Sequence, residues 1–209
     1  MTIVGVLALQ GDVPEHRAAF ARVLGPDGVR LVRTAKELAA VDALVIPGGE
    51  STTISEMMNR GGLRLALAER LARGLPVLAT CAGLIVLAER LEPSPGGHDP
   101  EPVPVVDVTV RRNDYGRQRE SFEAPVRVAG LRGPPFPGVF IRAPRILDVG
   151  RKAEPIAWRD EEVVGVRSGS VWGLTFHPEL SGDPRLAEAF LAATVPAAPK
   201  VRRAARSVS

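Results

Sequence analysis

The chain has 209 residues, 45% of them hydrophobic and 24% charged, which fits one folded domain burying roughly 70% of its unfolded surface and excludes a disordered or fibrous polypeptide. No stretch approaches the ~18 apolar residues of a membrane span, and residues 1–9 lack the basic start of a signal peptide. A lone cysteine, Cys81, excludes an internal disulfide framework and makes the cytoplasm the expected location. The net charge is +3, yet residues 196–209 hold Lys200, Arg202, Arg203 and Arg206 and no acid, which leaves residues 1–195 at −1. The basic excess therefore sits on an Ala/Pro/Arg tail that reads as disordered, not on a folded stripe. Neither nucleic acid nor a membrane is expected as a partner, and residues 1–195 are expected to form the domain.

Residues 3–9 are a continuous apolar run of the kind a doubly covered parallel strand shows. Asp12 followed by Glu15 reads as a capping box opening a helix to about Leu24, with Ala18, Ala19, Val23 and Leu24 inward. Residues 29–32 form a second strand, and Thr34 with Glu37 caps a short helix. A third strand, 43–46, ends in Pro47-Gly48-Gly49. Helical pattern returns over 52–73, interrupted at Gly61-Gly62. A fourth strand, 77–79, runs into Cys81 and a helix to about Leu91. Such alternation predicts a parallel sheet with right-handed crossovers.

The pattern changes after Leu91. The segment 93–104 carries prolines at 93, 95, 100, 102 and 104 and reads as a loop. Period-2 runs follow at 106–110, 126–128, 139–141, 156–158, 163–166 and 171–176, predicting an antiparallel or mixed section on the same core. A closing helix over 183–193 is capped by Asp183, with Leu186, Phe190 and Leu191 on one face. The expected architecture is a single three-layer α/β domain.

Cys81 lies between a strand end and a helix start, in Thr80-Cys81-Ala82-Gly83. Such an elbow holds a nucleophile at the carboxyl edge of a parallel sheet, and the helix N-terminus favours a thiolate there. In isolation an inert buried cysteine remains the alternative. Of the three histidines, His98 falls in the Pro/Gly loop and His16 reads as solvated on the first helix. His177 directly follows an apolar strand. Glu179, two residues on, projects to the same side if the segment is extended, so carboxylate and imidazole converge. The plainer reading is a surface His-Pro-Glu turn. Pro47-Gly48-Gly49-Glu50-Ser51 stands at another strand end, where backbone N–H groups can form an oxyanion hole; a glycine turn before a helix capped by Ser51 is the alternative. There is no dinucleotide or phosphate loop and no metal-ligand spacing, so neither cofactor nor metal is expected.

Gly-Gly-Glu-Ser, Thr-Cys-Ala-Gly and Phe-His-Pro-Glu, in this order, resemble the class I (triad) glutamine amidotransferases. Further segments resemble one branch, the glutaminase subunits of pyridoxal 5′-phosphate synthases. They are Leu9-Gln10-Gly11, Pro47 to Thr53, Thr80 to Ile85, Arg112-Asn113, Tyr115 to Gln118, Ser121-Phe122-Glu123, Phe140 to Pro144 and Thr175 to Leu180. The resemblance covers roughly residues 3–193. It implies a flavodoxin-like three-layer α/β/α fold with a central mostly parallel mixed sheet. By the same resemblance Cys81 attacks the glutamine carboxamide, His177 carries the proton to departing ammonia and Glu179 holds His177. Gly49, Glu50, Ser51, Arg112, Ile141 and Arg142 would bind glutamine, while Gly48, Gly49 and Gln10 belong to the oxyanion and activation region. The implied partner is a (β/α)8 synthase subunit, in a hetero-oligomer that makes pyridoxal phosphate. Departures are Ala79, where glycine is usual, Asp114 in a slot usually small, and a longer loop and tail. A glutaminase feeding another synthase, a γ-glutamyl hydrolase, or an inactive docking subunit are the competing readings.

Overall fold

The computed structural model describes residues 1–93, 98–112 and 121–194. The expected tail and the segment holding Asn113, Asp114 and Tyr115 to Gln118 lie outside the described residues. In chain order the strands are β1 (Val4–Leu7), β2 (Val29–Val32), β3 (Ala43–Ile46), β4 (Val77–Thr80), β5 (Ala88–Leu91), β6 (Val106–Arg111), β7 (Phe122–Val128), β8 (Phe136–Phe140), β9 (Arg145–Val149), β10 (Glu154–Arg159), β11 (Glu162–Ser168) and β12 (Val171–Leu174). The helices are α1 (Val13–Leu24), α2 (Ala35–Ala39), α3 (Ser51–Met58), α4 (Leu63–Ala72), α5 (Ala82–Leu87) and α6 (Arg185–Thr194).

Nine strands form one mixed sheet in the order β2-β1-β3-β4-β12-β11-β10-β7-β8. The first five run parallel, and the rest continue antiparallel from β12. β1, β3, β4 and β12 are buried at every position, as strands covered on both faces must be. One face packs against α1 and α6 through Phe20, Leu186 and Phe190; Phe190 meets Phe20 edge-on at 6.4 Å and Trp172 at 5.8 Å. The other face packs against α2 to α5 through Leu38, Ile54, Met58, Leu67 and Leu84. Three layers result, as expected.

β5, β6 and β9 make a separate small sheet, which the sequence reading did not separate from the main one. Residues 88–91, read as the end of a helix, are β5 instead. Ala-Glu-Arg-Leu favours helix locally, but pairing with β6 overrides that preference. Thr34 and Glu37 do form a reciprocal capping box on α2. Asp12 does not: it stands at the N-cap of α1 with no side-chain cap bond. The buried positions of α1 are His16 and Phe20, and Ala18, expected inward, is exposed. Ala79, the departure from glycine, is fully buried in β4, beside Gly173 of β12 in the parallel register.

Candidate active site

The carboxyl ends of β1, β3, β4 and β12, four neighbours in the sheet, deliver the loop 10–12, the turn 47–50, Cys81 and His177 to one edge. Ligand sites of open α/β sheets form at this edge. Cys81 sits at the junction of β4 and α5 with φ 49 and ψ −105, a backbone region non-glycine residues rarely adopt. Its N–H donates to Leu174 O at 2.8 Å, tying the elbow to β12. Gly83 permits the tight entry into α5, since a Cβ there would stand 2.3 Å from Ile46 O. The Cys81 thiol lies 3.9 Å from Ile141 O, at the edge of sulfur hydrogen-bond range.

His177 and Glu179 are buried, and His177 Nδ1 meets Glu179 Oε1 at 2.8 Å. The convergence is real but its cause differs from expectation. Pro178–Leu180 is a 3-10 turn, so curvature brings the carboxylate under the ring, where extended alternation was expected. A second carboxylate shares the same nitrogen, Asp12 Oδ2 at 3.2 Å. Burial alone would lower the His177 pKa. Hydrogen bonds with Asp12, Cys81 and Glu179 and the charge of Cys81 outweigh it, and the imidazole is pushed up to about 12. The bond to His177 is also what holds the Asp12 carboxyl below its usual range. Although Cys81 acts on the ring electrically, His177 Nε2 has no aligned hydrogen bond. The sulfur also has Ile141 O within 3.9 Å.

Asp12, Gly49, Glu50, Ser51, Cys81, Ile85, Arg112, Ile141, Arg142 and His177 line a cleft of about 160 Å³. Cys81, His177 and all six expected glutamine-binding residues are therefore at this one place, with Glu179 buried behind His177. Glu50, not Ser51, caps α3, its Oε2 accepting from Thr53 N at 2.7 Å and Thr53 Oγ1 at 2.9 Å. Burial opposes ionisation of Glu50, but these bonds and the charge of Arg112 hold its pKa below the usual value. Arg112 reaches Glu50 at 3.4 Å, Asp99 at 3.2 Å and His98 O at 2.9 Å. His98 and Asp99 of the Pro-rich segment thus border the cleft, and Arg64 fastens that segment through Glu101 O and Pro102 O.

Gly48 and Gly49 stand beside the ring and the loop 10–12. Gly48 O accepts from Asp12 N at 3.1 Å, and Gln10 Oε1 accepts from Glu50 N at 2.7 Å. Gly49 has φ 149, and a Cβ on Gly11 would fall 1.7 Å from Gly48 O. Gln10 and Gly48 are therefore packed as one unit with the turn.

Three participants escaped the sequence reading. Asp12 was taken for a cap, although its place beside Gln10 on the loop after β1 was a usable signal. Thr80 was seen only as the residue before Cys81. His16, expected to be solvated, is 1% exposed; its Nε2 lies 3.0 Å from Thr80 Oγ1 and 3.3 Å from Glu179 Oε2. The error was confined to His16 and Ala18, since Val23 and Leu24, also expected inward, do pack against the core. Asp12, His177 and Glu179 also place ligand atoms within 4.8 Å of one another. Both carboxylates already converge on the one ring nitrogen, an arrangement of hydrogen bonding more than of a metal cage.

Known proteins resemble this chain in sequence and in fold. The SNO glutamine amidotransferase family matches residues 6–196. The pyridoxal 5′-phosphate synthase subunit PdxT of Pyrococcus furiosus is 48% identical over 198 residues, covering 91% of this chain and 98% of that protein. Its namesake from Streptomyces coelicolor is 50% identical over 189 residues, covering 90% and 91%. A crystal structure of a glutamine amidotransferase superposes with a TM-score of 0.83 at 41% identity, covering 91% of this chain and 97% of that one. PurLQS from Thermotoga maritima, at a TM-score of 0.66 and 15% identity, shares the fold. The chain belongs to the SNO glutamine amidotransferase family.

Proposed function

We propose that this chain is the glutaminase subunit of a pyridoxal 5′-phosphate synthase. It hydrolyses L-glutamine to L-glutamate and ammonia and passes the ammonia to a (β/α)8 synthase subunit, with which it forms a hetero-oligomer in the cytoplasm. The observation that carries the reading is a cysteine on a strained elbow, opening on one cleft with an imidazole that a buried carboxylate holds from behind at 2.8 Å. The Cys81 thiolate adds to the carboxamide carbon, and N–H groups of the Gly48-Gly49 turn face the developing oxyanion. His177, charged as the imidazolium, gives its proton to the departing nitrogen, leaving a thioester. Water activated by the now neutral ring then releases glutamate and restores the thiol. Glu179 keeps Nδ1 occupied, so that Nε2 is the nitrogen that exchanges protons with substrate. Arg112 matches the α-carboxylate of glutamine as a planar cation, and Glu50 matches its α-ammonium.

Free glutamine hydrolysis would waste ammonia, and Gly48 O is tied to Asp12 N–H while Gln10 holds Glu50 N–H. Docking of the synthase on this edge would rearrange that turn and complete the oxyanion hole. Ammonia release is expected to rise at least ~10-fold with saturating synthase subunit, about 1.4 kcal/mol of transition-state stabilisation. Gln10→Ala is expected to blunt the rise without weakening the complex. Equal rates with and without the partner would remove the docking switch, and ammonia release by Cys81→Ala would remove the triad.

A further inference from the structure

The chemistry above uses one oxygen of Glu179. The other, Oε2, belongs to a side chain with no exposure and has no aligned hydrogen bond. A buried carboxylate oxygen left without a donor is costly, and a carboxylate held at one oxygen only is free to turn about its last torsion. The nearest cation-capable group is the imidazole of His16, with Nε2 at 3.3 Å from Oε2. The same nitrogen is 3.0 Å from Thr80 Oγ1, which is fully buried at the end of β4, one residue before the nucleophile. His16 is anchored in turn by α1, whose Phe20 is packed on the sheet.

We propose that His16 is a positioning residue of the glutaminase reaction, its Nε2–H bridging Thr80 Oγ1 and Glu179 Oε2 so that the acid is fixed relative to the elbow carrying Cys81. The inference rests on the triad reading of the site. It assigns the ring one tautomer, with the proton on Nε2, because only that nitrogen faces the two acceptors. Burial supports the neutral form, lowering the His16 pKa against the charges of Glu179, Asp12 and Glu15, which raise it, and with that of His177, which lowers it further. A neutral donor satisfies the carboxylate without cancelling its charge, so Glu179 keeps its full attraction for the His177 imidazolium.

The test compares His16→Gln with His16→Met in the full chain with its synthase subunit. Both side chains are unbranched and of equal length, but only glutamine carries an N–H where Nε2 stands. His16→Gln is expected to keep kcat within threefold of wild type. His16→Met is expected to lose at least tenfold in kcat with KM within twofold, since a Glu179 deprived of its second donor is no longer fixed relative to the elbow. If His16→Met does not fold, His16→Asn replaces it, polar but one methylene too short to reach Oε2. Equal kcat in the Gln and Met (or Asn) variants would overturn the proposal. Cys81→Ala is run alongside: if it stays active the triad reading itself falls, whereas an inactive Cys81→Ala with indifferent His16 variants rejects only the positioning role.

Discussion

The strain at the nucleophile elbow can be measured without any substrate. At φ 49 and ψ −105 Cys81 lies outside even the left-handed helical well, in a region glycine alone enters freely, and such residues cost of order 1–3 kcal/mol. Cys81→Ala retains a Cβ and hence the strain, while Cys81→Gly removes both. Against the relief, Gly forfeits roughly 0.8 kcal/mol of methyl burial at this 6% exposed position and roughly 0.5–1 kcal/mol of unfolded-state entropy. With strain at the upper end of its range, the glycine variant should be the more stable by about 1 kcal/mol. For a chain of this size that is about 2–4 °C in Tm. Both variants should be inactive, so differential scanning calorimetry on the pair reads the backbone alone. A Cys81→Gly protein less stable than Cys81→Ala by the full sum of those losses, roughly 1.3–1.8 kcal/mol, would refute the strained elbow.

Three further outcomes follow from distances at the site. Glu179→Gln should retain more ammonia release than Cys81→Ala, because Asp12 at 3.2 Å still engages His177 Nδ1; adding Asp12→Asn should drop activity to the level of His177→Ala, a non-additive loss visible in a double-mutant cycle. The bond to His177 lowers the Asp12 pKa, so its stabilisation is complete above 3.8 and vanishes as pH falls through the lower folded value. Wild type should therefore melt above Asp12→Asn at neutral pH and converge with it in strong acid, and a gap that persists on acidification would count against the ion pair. Gly83→Ala, whose Cβ would press Ile46 O at 2.3 Å, should cost about 1–3 kcal/mol in denaturant unfolding and reduce activity by displacing α5; wild-type behaviour would mean the α5–β3 contact is loose.

The parallel half of the sheet was legible because β1, β3 and β4 are short, wholly apolar and separated by helical patterns with glycine punctuation. The triad was legible because Cys81 and His177 each follow a strand directly, and strand ends of one parallel sheet share an edge. β5 was not, since its four residues carry helical propensity and only pairing with β6 makes them extended. β9 was missed because its polar positions, Arg145 and Asp148, are exposed and no period-2 signal survives. On α1, Val23 and Leu24 were read inward correctly, but a buried histidine and an exposed alanine invert the usual ranking at its start. The partners that hold His16 inside are Glu179 and Thr80, which are distant in sequence, so no local window contains the reason.

Gly173 and Leu174 of β12 stand beside Ala79 and Thr80 of β4, and this alignment has a bearing on refolding. β12 is the last strand of the sheet in sequence, yet it occupies an inner position between β4 and β11. A slip of two residues would keep every apolar side chain on its own face, so hydrophobic burial alone discriminates weakly against it. It would nevertheless carry His177 some 6.6 Å along the strand, out of reach of Cys81. Slipped molecules would thus be compact, spectroscopically ordered and catalytically silent. Specific activity, normalised to titratable Cys81, is therefore a direct gauge of strand registry in a refolded preparation.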